Sequence, residues 1–221
     1  MARSATSVIQ PLARPAGAVL NIVLVVGASL FVALCAQVQV PLPFTPVPLT
    51  LASFGVLLVG LLLGPARAGA AMLLYLAEGA AGLPVFAPGG LPGIARFWGP
   101  TGGYLLACPV AAFIAGRLAL RFPSLVGRWM AAMSGIFVVF LGGTAQLALL
   151  TGSVATAVAL GATPFALLDV AKAFVAALVA RPRERTPELR RRRARDTASC
   201  WRHPARARAS CPRARRPWAA A

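Results

Sequence analysis

Apolar residues are grouped along the chain into six stretches, separated by short segments rich in proline, glycine and polar residues. The stretches cover residues 19–38, 49–63, 66–83, 100–120, 128–150 and 164–180. A helix rises about 1.5 Å per residue, so roughly 20 apolar residues cross the hydrocarbon core of a bilayer. The pattern therefore predicts an all-α integral membrane protein with six transmembrane helices. It predicts the ends of the shorter helices only to within a few residues.

The segments between these stretches carry turn-forming residues. They are residues 41–48, the Gly64-Pro65 corner, and residues 84–99, 121–127 and 151–163. We accordingly expect three parts: an N-terminal segment over residues 1–18, a six-helix membrane domain over residues 19–180, and a tail over residues 181–221. The first apolar stretch has no clear cleavage site behind it, so we expect a retained first span.

The distribution of arginine predicts the orientation of the six spans. If the N-terminus is cytoplasmic, almost all basic residues before position 181 fall on inner segments, and Arg96 is the one charged residue in the outer connectors. Cytoplasmic loops carry an excess of Lys and Arg. The pattern thus predicts that both ends of the domain lie in the cytoplasm.

The tail differs in composition from the rest of the chain. Residues 181–221 hold fourteen Arg and three acidic residues, a net charge of +11, whereas residues 1–180 hold eight basic and two acidic residues. Such a segment cannot bury a core, and we expect it to be disordered. It could hold anionic lipid headgroups or contact RNA, or it could be an out-of-frame translation. The basic charge therefore belongs mostly to the tail, and we expect no nucleic-acid partner for the membrane domain.

The six-span topology assigns a depth to each polar residue of the apolar stretches. Polar side chains from several spans fall in the outer half of the membrane, whereas the inner halves hold almost none. They are Gln37, Thr50, Tyr75, Glu78, Tyr104, Gln146, Asp169 and Lys172. This convergence predicts a pocket that opens to the exterior side.

Asp169 and Lys172 are the sharpest feature of the sequence. They are three residues apart, so on a helix they share one face, and Lys172 is the only lysine among 22 basic residues. A charge deep in a bilayer costs from about 2.5 to more than 10 kcal/mol unless it is paired or used. Two interpretations remain open: a structural ion pair that locks the last span to a neighbour, and a site that offers a donor and an acceptor to a small polar ligand.

The other polar and aromatic candidates also have two interpretations each. Glu78 could face the pocket, or it could reach the outer interface and approach Arg96. Aromatic side chains could line a ligand site or form an interfacial belt. The aromatic residues in question are Tyr75, Phe86, Phe97, Trp98 and Tyr104.

Several classes of function are disfavoured by what the sequence lacks. There is no phosphate-binding GxxxxGK[ST] motif, and the single histidine, His203, lies in the tail. The four cysteines have no metal-ligand spacing. With two acidic residues and no histidine before position 181, general acid–base or metal chemistry is difficult to build. We expect no enzyme, no metal and no cofactor.

Four segments resemble a known family. They are "AQVQVPLPFTPVPLTLASFGVLLVGLLLGPARAG", "YLAEGAAGLPVF", "GPTGGYL" and "PFALLDVAKA", and in this order they are similar to segments of the BioY family. BioY proteins are the biotin-specific substrate-binding (S) components of energy-coupling factor (ECF) transporters. The similarity extends over about residues 20–180.

The resemblance implies a six-helix S-component bundle that binds biotin with high affinity and mediates its uptake. A separate transmembrane coupling protein and two ATP-binding-cassette ATPases would energise the transport. In that family the Asp and Lys of the last helix contact the ureido ring of biotin, which assigns that role to Asp169 and Lys172. Tyr75 and Tyr104 are carried over from their motifs, and the first outer loop is expected to close over the site. An S component for another vitamin and a non-transporting scaffold subunit are the alternatives.

Overall fold

The computed structural model describes residues 15–180 of the chain. This region contains seven α-helices, one 3₁₀ helix and a two-stranded antiparallel hairpin. The α-helices are α1 (Pro15–Gln37), α2 (Ala52–Leu63), α3 (Pro65–Ala80), α4 (Gly102–Arg121), α5 (Leu125–Thr151), α6 (Val154–Gly161) and α7 (Thr163–Val179). The strands are β1 (Gln39–Val40) and β2 (Leu49–Thr50), and the 3₁₀ helix is Gly93–Trp98. The predicted tail, and nearly all of the predicted N-terminal segment, lie outside the described residues.

The expectation of a helical membrane protein is confirmed, and each of the six apolar stretches overlaps one α-helix. One additional helix, α6, forms within residues 151–163, which were expected to be a connector. Of the described helices, α1, α4 and α5 are long and apolar enough to cross a membrane, and α6 and α7, bent by 46°, pass the same test as a pair. Because α2 has only 12 residues, the count of six spans remains a prediction.

Short-range capping explains where several helices begin and end. The side chains of Ser124 and Ser153 accept hydrogen bonds from backbone N–H groups in the first turns of α5 and α6, as N-cap residues do. Gly152 ends α5 in the left-handed region, with φ 71°. The α6 helix thus follows from a cap and a stop signal inside the segment that was expected to be a connector.

Glycines allow the helices to pack closely. A Cβ at Gly103 of α4 would lie 2.2 Å from the carbonyl oxygen of Gly142 in α5. A Cβ at Gly116 of α4 would lie 2.7 Å from the carbonyl oxygen of Gly60 in α2. Small residues at such crossings bring backbones together, which is the usual basis of helix association in membranes.

The hairpin places the connector between α1 and α2 against α6. Residues 41–48 lie between the paired strands, in which Gln39 pairs with Thr50 and Val40 with Leu49. Thr45 Oγ1 donates to the carbonyl oxygen of Leu160 at 2.7 Å. The second strand leads directly into α2, so the position of this hairpin also sets the position of the first turn of α2.

Candidate functional site

A cavity of about 110 Å³ lies among the bundle helices and is lined in part by residues 47–50, 52 and 53. A water molecule needs only about 10–15 Å³ by the same measure, so the cavity has room for a small organic molecule. Most of its lining side chains are apolar. The polar and charged ones are Thr50, Ser53, Tyr75, Arg96, Thr101, Tyr104, Asp169 and Lys172.

Asp169 and Lys172 lie on one face of α7 and form an ion pair in the wall of this cavity. Lys172 Nζ is 2.8 Å from Asp169 Oδ1, and the two side chains are 15% and 8% exposed, respectively. This is the single ion pair among residues 15–180. Within the apolar α7, the pairing lowers the cost of holding two charges away from water.

Two residues near the start of α2 complete the hydrogen bonding of this pair. Lys172 Nζ also donates to the carbonyl oxygen of Thr50 at 2.7 Å and to Ser53 Oγ at 3.2 Å. Ser53 Oγ in turn donates to Asp169 Oδ1 at 3.0 Å. An ammonium has three N–H donors, and all three are therefore occupied. Asp169 Oδ2 accepts no hydrogen bond from the described residues, so it is available to a ligand donor.

Aromatic rings form a second part of the wall. The rings of Tyr75 and Phe86 meet edge to face with centroids 5.3 Å apart, and Phe97, which is outside the lining, packs on Phe86 at 5.8 Å. Tyr104 also lines the cavity, and its hydroxyl donates to the carbonyl oxygen of Gly161 at the end of α6. These rings offer the apolar area that a ring-shaped or aliphatic ligand needs.

Arg96 is a cavity residue that the sequence analysis did not select for the site. It lies in the 3₁₀ helix and is 5% exposed. Its Nη2 donates to the carbonyl oxygen of Ala87 at 2.8 Å, whereas its buried Nε has no partner among residues 15–180. The sequence did contain one indication of a role for Arg96, since it is the one charged residue in the connectors that were predicted to be outer.

Three of the predicted site residues lie outside the cavity lining. Gln37 Nε2 donates to the carbonyl oxygens of Pro84 and Phe86, and Gln146 Nε2 donates to those of Phe97 and Gly99 at 2.7 and 2.8 Å. Both amides thus hold the connector of residues 81–101, which joins α3 to α4, in place.

Glu78 is the third of these residues. Its carboxylate accepts a hydrogen bond from the buried hydroxyl of Ser29, which joins α3 to α1. The contact with Arg96 considered for Glu78 is not formed, because neither a hydrogen bond nor an ion pair joins the two residues. The residues considered for the site that do line the cavity are Thr50, Tyr75, Phe86, Tyr104, Asp169 and Lys172, whereas the aromatic candidates Phe97 and Trp98 lie outside its lining.

No metal centre is evident within the described part of the chain. Between residues 15 and 180, no three His, Cys, Asp or Glu side chains lie together where they could hold a metal ion. The polar groups of the cavity are a carboxylate, an ammonium, a guanidinium and hydroxyls. Such a set can bind a ligand that carries both hydrogen-bond donors and an anionic group.

Known proteins resemble this chain in sequence and in fold. The sequence profile of the BioY family matches residues 5–188. A probable biotin transporter BioY from Pyrococcus horikoshii is 42% identical over 69% of this chain and 90% of the relative. A biotin transporter BioY from Rhizobium etli is 38% identical over 70% of this chain and 87% of the relative.

The fold resembles that of a solved S-component for biotin from an ECF-type ABC transporter. The TM-score is 0.70 with 24% identity, and the match covers 76% of this chain and 92% of the solved one. The likeness confirms the expected S-component-like helical fold.

We expect that replacing Gln146 by Met will loosen the connector between α3 and α4 without removing a cavity residue. The change deletes the donor to two backbone carbonyls, each bond being worth about 1 kcal/mol, so local opening should be roughly 30-fold more frequent. The measurement is limited trypsin digestion in detergent, followed by the rate at which the fragment beginning at Phe97 appears. Cleavage there requires Arg96, which is buried in the native protein.

Thr144→Val is the matched control, because Thr144 lies in the same helix and its hydroxyl bonds to the carbonyl oxygen of Phe140 in that helix. This variant should be cleaved at the rate of the unmodified protein. Equal cleavage rates in the Gln146 variant and in the control would contradict the fastening role.

Proposed function

Because this chain belongs to the BioY family, we propose that it is a high-affinity biotin-binding membrane subunit that mediates biotin uptake. The observation that carries the proposal is the Asp169–Lys172 ion pair in the wall of a cavity that is otherwise largely apolar. The names of the relatives support biotin over another vitamin. The subunit would bind and carry its ligand unchanged, so it is a transport protein and not an enzyme.

The ureido ring of biotin matches the polar groups on α7. This ring presents two N–H donors and one carbonyl acceptor, and it carries no net charge. Asp169 Oδ2 is available to accept an N–H, and Lys172 can donate to the carbonyl oxygen in exchange for one of its present acceptors. A neutral ion pair that offers one acceptor and one donor suits such a group, since binding leaves no unpaired charge in the site.

The rest of biotin matches the other parts of the cavity wall. The sulfur-containing ring and the aliphatic chain are apolar, and the rings of Tyr75, Phe86 and Tyr104 supply apolar area. The aliphatic chain of biotin ends in a carboxylate. Arg96 is the cation of the lining that has no acidic partner among the described residues, and its buried Nε lacks an acceptor. A guanidinium binds a carboxylate through charge-assisted hydrogen bonds, so we assign the carboxylate end to Arg96.

The proposal extends to the membrane topology. Six crossings with both ends in the cytoplasm agree with the placement of arginine along the chain. The short α2 and the bent α6–α7 pair would span with help from neighbouring helices and from local thinning of the bilayer. The exposed apolar faces of α1 and α5 would then contact membrane lipids. The membrane in question would be the inner membrane of a bacterium.

The S-component-like fold also supports a set of protein partners, namely an ECF transmembrane coupling protein and two ATP-binding-cassette ATPases. This chain has no motif of its own for binding ATP.

Uptake of labelled biotin should therefore be strong in cells that co-express the chain with a coupling module. It should fall to the background level when the ATPases are inactivated. Equal uptake with and without active ATPases would contradict this part of the proposal and indicate a carrier that works alone.

Replacement of Asp169 by Asn, or of Lys172 by Met, should weaken biotin binding by roughly 10- to 100-fold. Each change removes a charged partner of the ureido group, and a hydrogen bond to a charged group is worth about 1.5–3 kcal/mol. The measurement is equilibrium binding of labelled biotin to purified protein in detergent. Gel filtration and the thermal midpoint report on the fold of each variant.

Glu78→Gln is the matched control for Asp169→Asn, because it makes the same acid-to-amide change at a carboxylate outside the cavity lining. This control should bind biotin within about twofold of the unmodified protein. Folded Asp169 and Lys172 variants with unaltered affinity would overturn the site. Loss of folding in both, with no binding by the unmodified protein, would indicate that the pair is structural and the chain a scaffold.

Replacement of Arg96 by Gln should distinguish the contribution of the carboxylate end of biotin to affinity from that of its ureido end. We expect biotin to bind roughly 10- to 100-fold more weakly, because a charge-assisted hydrogen bond is worth about 1.5–3 kcal/mol. The neutral carboxamide of biotin should bind the variant and the unmodified protein about equally. Equal losses for biotin and for its carboxamide would contradict the assignment of the carboxylate to Arg96.

A further inference from the structure

Ser53 lies in the first turn of α2 and joins that helix to the charged pair of α7. Its hydroxyl lines the cavity and makes two side-chain hydrogen bonds across the bundle. The hydroxyls of Ser134 and Thr144 return to carbonyls of their own helix, which is the common habit of Ser and Thr within helices. The Ser29 hydroxyl also crosses to another helix, where it bonds to Glu78, but that contact lies outside the cavity lining. Ser53 differs from all three because its cross-helix bonds are made in the cavity wall and to both members of the charged pair.

The first consequence concerns the orientation of Asp169. Ser53 and Lys172 both donate to the same carboxylate oxygen, Oδ1. Rotation of the carboxylate would break both of these bonds, so the side chain is held with Oδ2 as the oxygen left for a ligand. Lys172 comes from the same helix as Asp169, whereas Ser53 reaches it from the neighbouring helix α2.

The second consequence concerns Lys172. Its three donors are directed to Thr50, Asp169 and Ser53, at 2.7, 2.8 and 3.2 Å. A ligand acceptor can receive an N–H from Lys172 only by replacing one of these. The contact with Ser53 is the longest, and its acceptor is a neutral hydroxyl, so it is the easiest to exchange. The Ser53 hydroxyl would then keep its bond to Asp169.

We infer that Ser53 is a positioning residue of the binding site. It holds Asp169 with one oxygen directed to the ligand, and it occupies the Lys172 donor that the ligand will take. It thereby sets the arrangement of one acceptor and one exchangeable donor that the ureido group meets. This inference rests on the proposed function, and it adds a residue on α2 to a recognition unit otherwise located on α7.

The test compares three variants of Ser53 in equilibrium binding of biotin. Ser53→Ala removes the hydroxyl and should weaken binding about tenfold. Ser53→Thr keeps the hydroxyl and should restore affinity to within about twofold, and Ser53→Cys, a weaker donor, should fall between them. Ser134→Ala is the control, since the Ser134 hydroxyl bonds only within α5 and is not in the cavity lining.

A second readout separates positioning from a merely structural contribution. Binding of Ser53→Ala and the unmodified protein is measured for biotin, for biotin carboxamide, and for an analogue in which sulfur replaces the ureido oxygen. Because Ser53 acts at the ureido end, the losses from Ser53→Ala and from the sulfur analogue should be non-additive, whereas those from Ser53→Ala and the carboxamide should add.

The outcomes are distinguishable from those of the proposed function. If the unmodified protein binds biotin and Ser53→Ala binds it equally well, the inference about Ser53 is overturned and the proposed function stands. Additive losses with both analogues would also overturn it, because they would indicate a general effect on the fold. Failure of the unmodified protein to bind biotin would overturn both. If Ser53→Ala does not fold, the comparison of the Thr and Cys variants decides the matter.

Discussion

The burial of two opposite charges in the apolar helix α7 is the constraint on which the rest of the site depends. Removing an ammonium and a carboxylate from water is costly, and their mutual attraction compensates for this only when their remaining hydrogen-bonding groups are also satisfied. Helix α7 cannot provide those partners itself, because its own backbone groups are bonded within the helix. They come instead from Thr50 and Ser53, so the start of α2 must lie against α7.

This requirement also determines where the connector between α1 and α2 lies. Thr50 is the last residue of β2, which pairs with β1. A bond from Lys172 to Thr50 therefore holds the base of the hairpin at the cavity, and the bond from Thr45 to α6 holds its tip. The charged pair, the hairpin and the cavity wall thus form one connected unit. A ligand that changed the bonding of Lys172 would act directly on this hairpin.

The connector between α3 and α4 is likewise held by side-chain hydrogen bonds. Irregular backbone close to a membrane must find partners for its carbonyl groups. The amides of Gln37 and Gln146 supply donors to four of them. These bonds keep Phe86 and Arg96 in the wall of the cavity. Polar residues outside the cavity lining therefore contribute to its shape, and they do so through the backbone.

Some parts of this site could be predicted from the sequence and others could not. Asp169 and Lys172 were identifiable because two charges in an apolar stretch are costly wherever they occur. Ser53 could not be identified, since a serine in an apolar helix is unremarkable by itself. The depth predicted for Gln37, Glu78 and Gln146 did not indicate in which direction each side chain points from its helix. Their side chains bond to neighbouring elements instead of lining the cavity.

The sequence by itself determined the apolar helices, the family resemblance and the i,i+3 pair on α7, because hydropathy and helical spacing are local properties. The tertiary structure decided which polar groups meet. The bonds from Lys172 and Asp169 to Thr50 and Ser53 join residues 116 to 122 positions apart, and Arg96 enters the same cavity from the connector between α3 and α4. Such contacts depend on how helices pack, and packing involves the whole bundle at once.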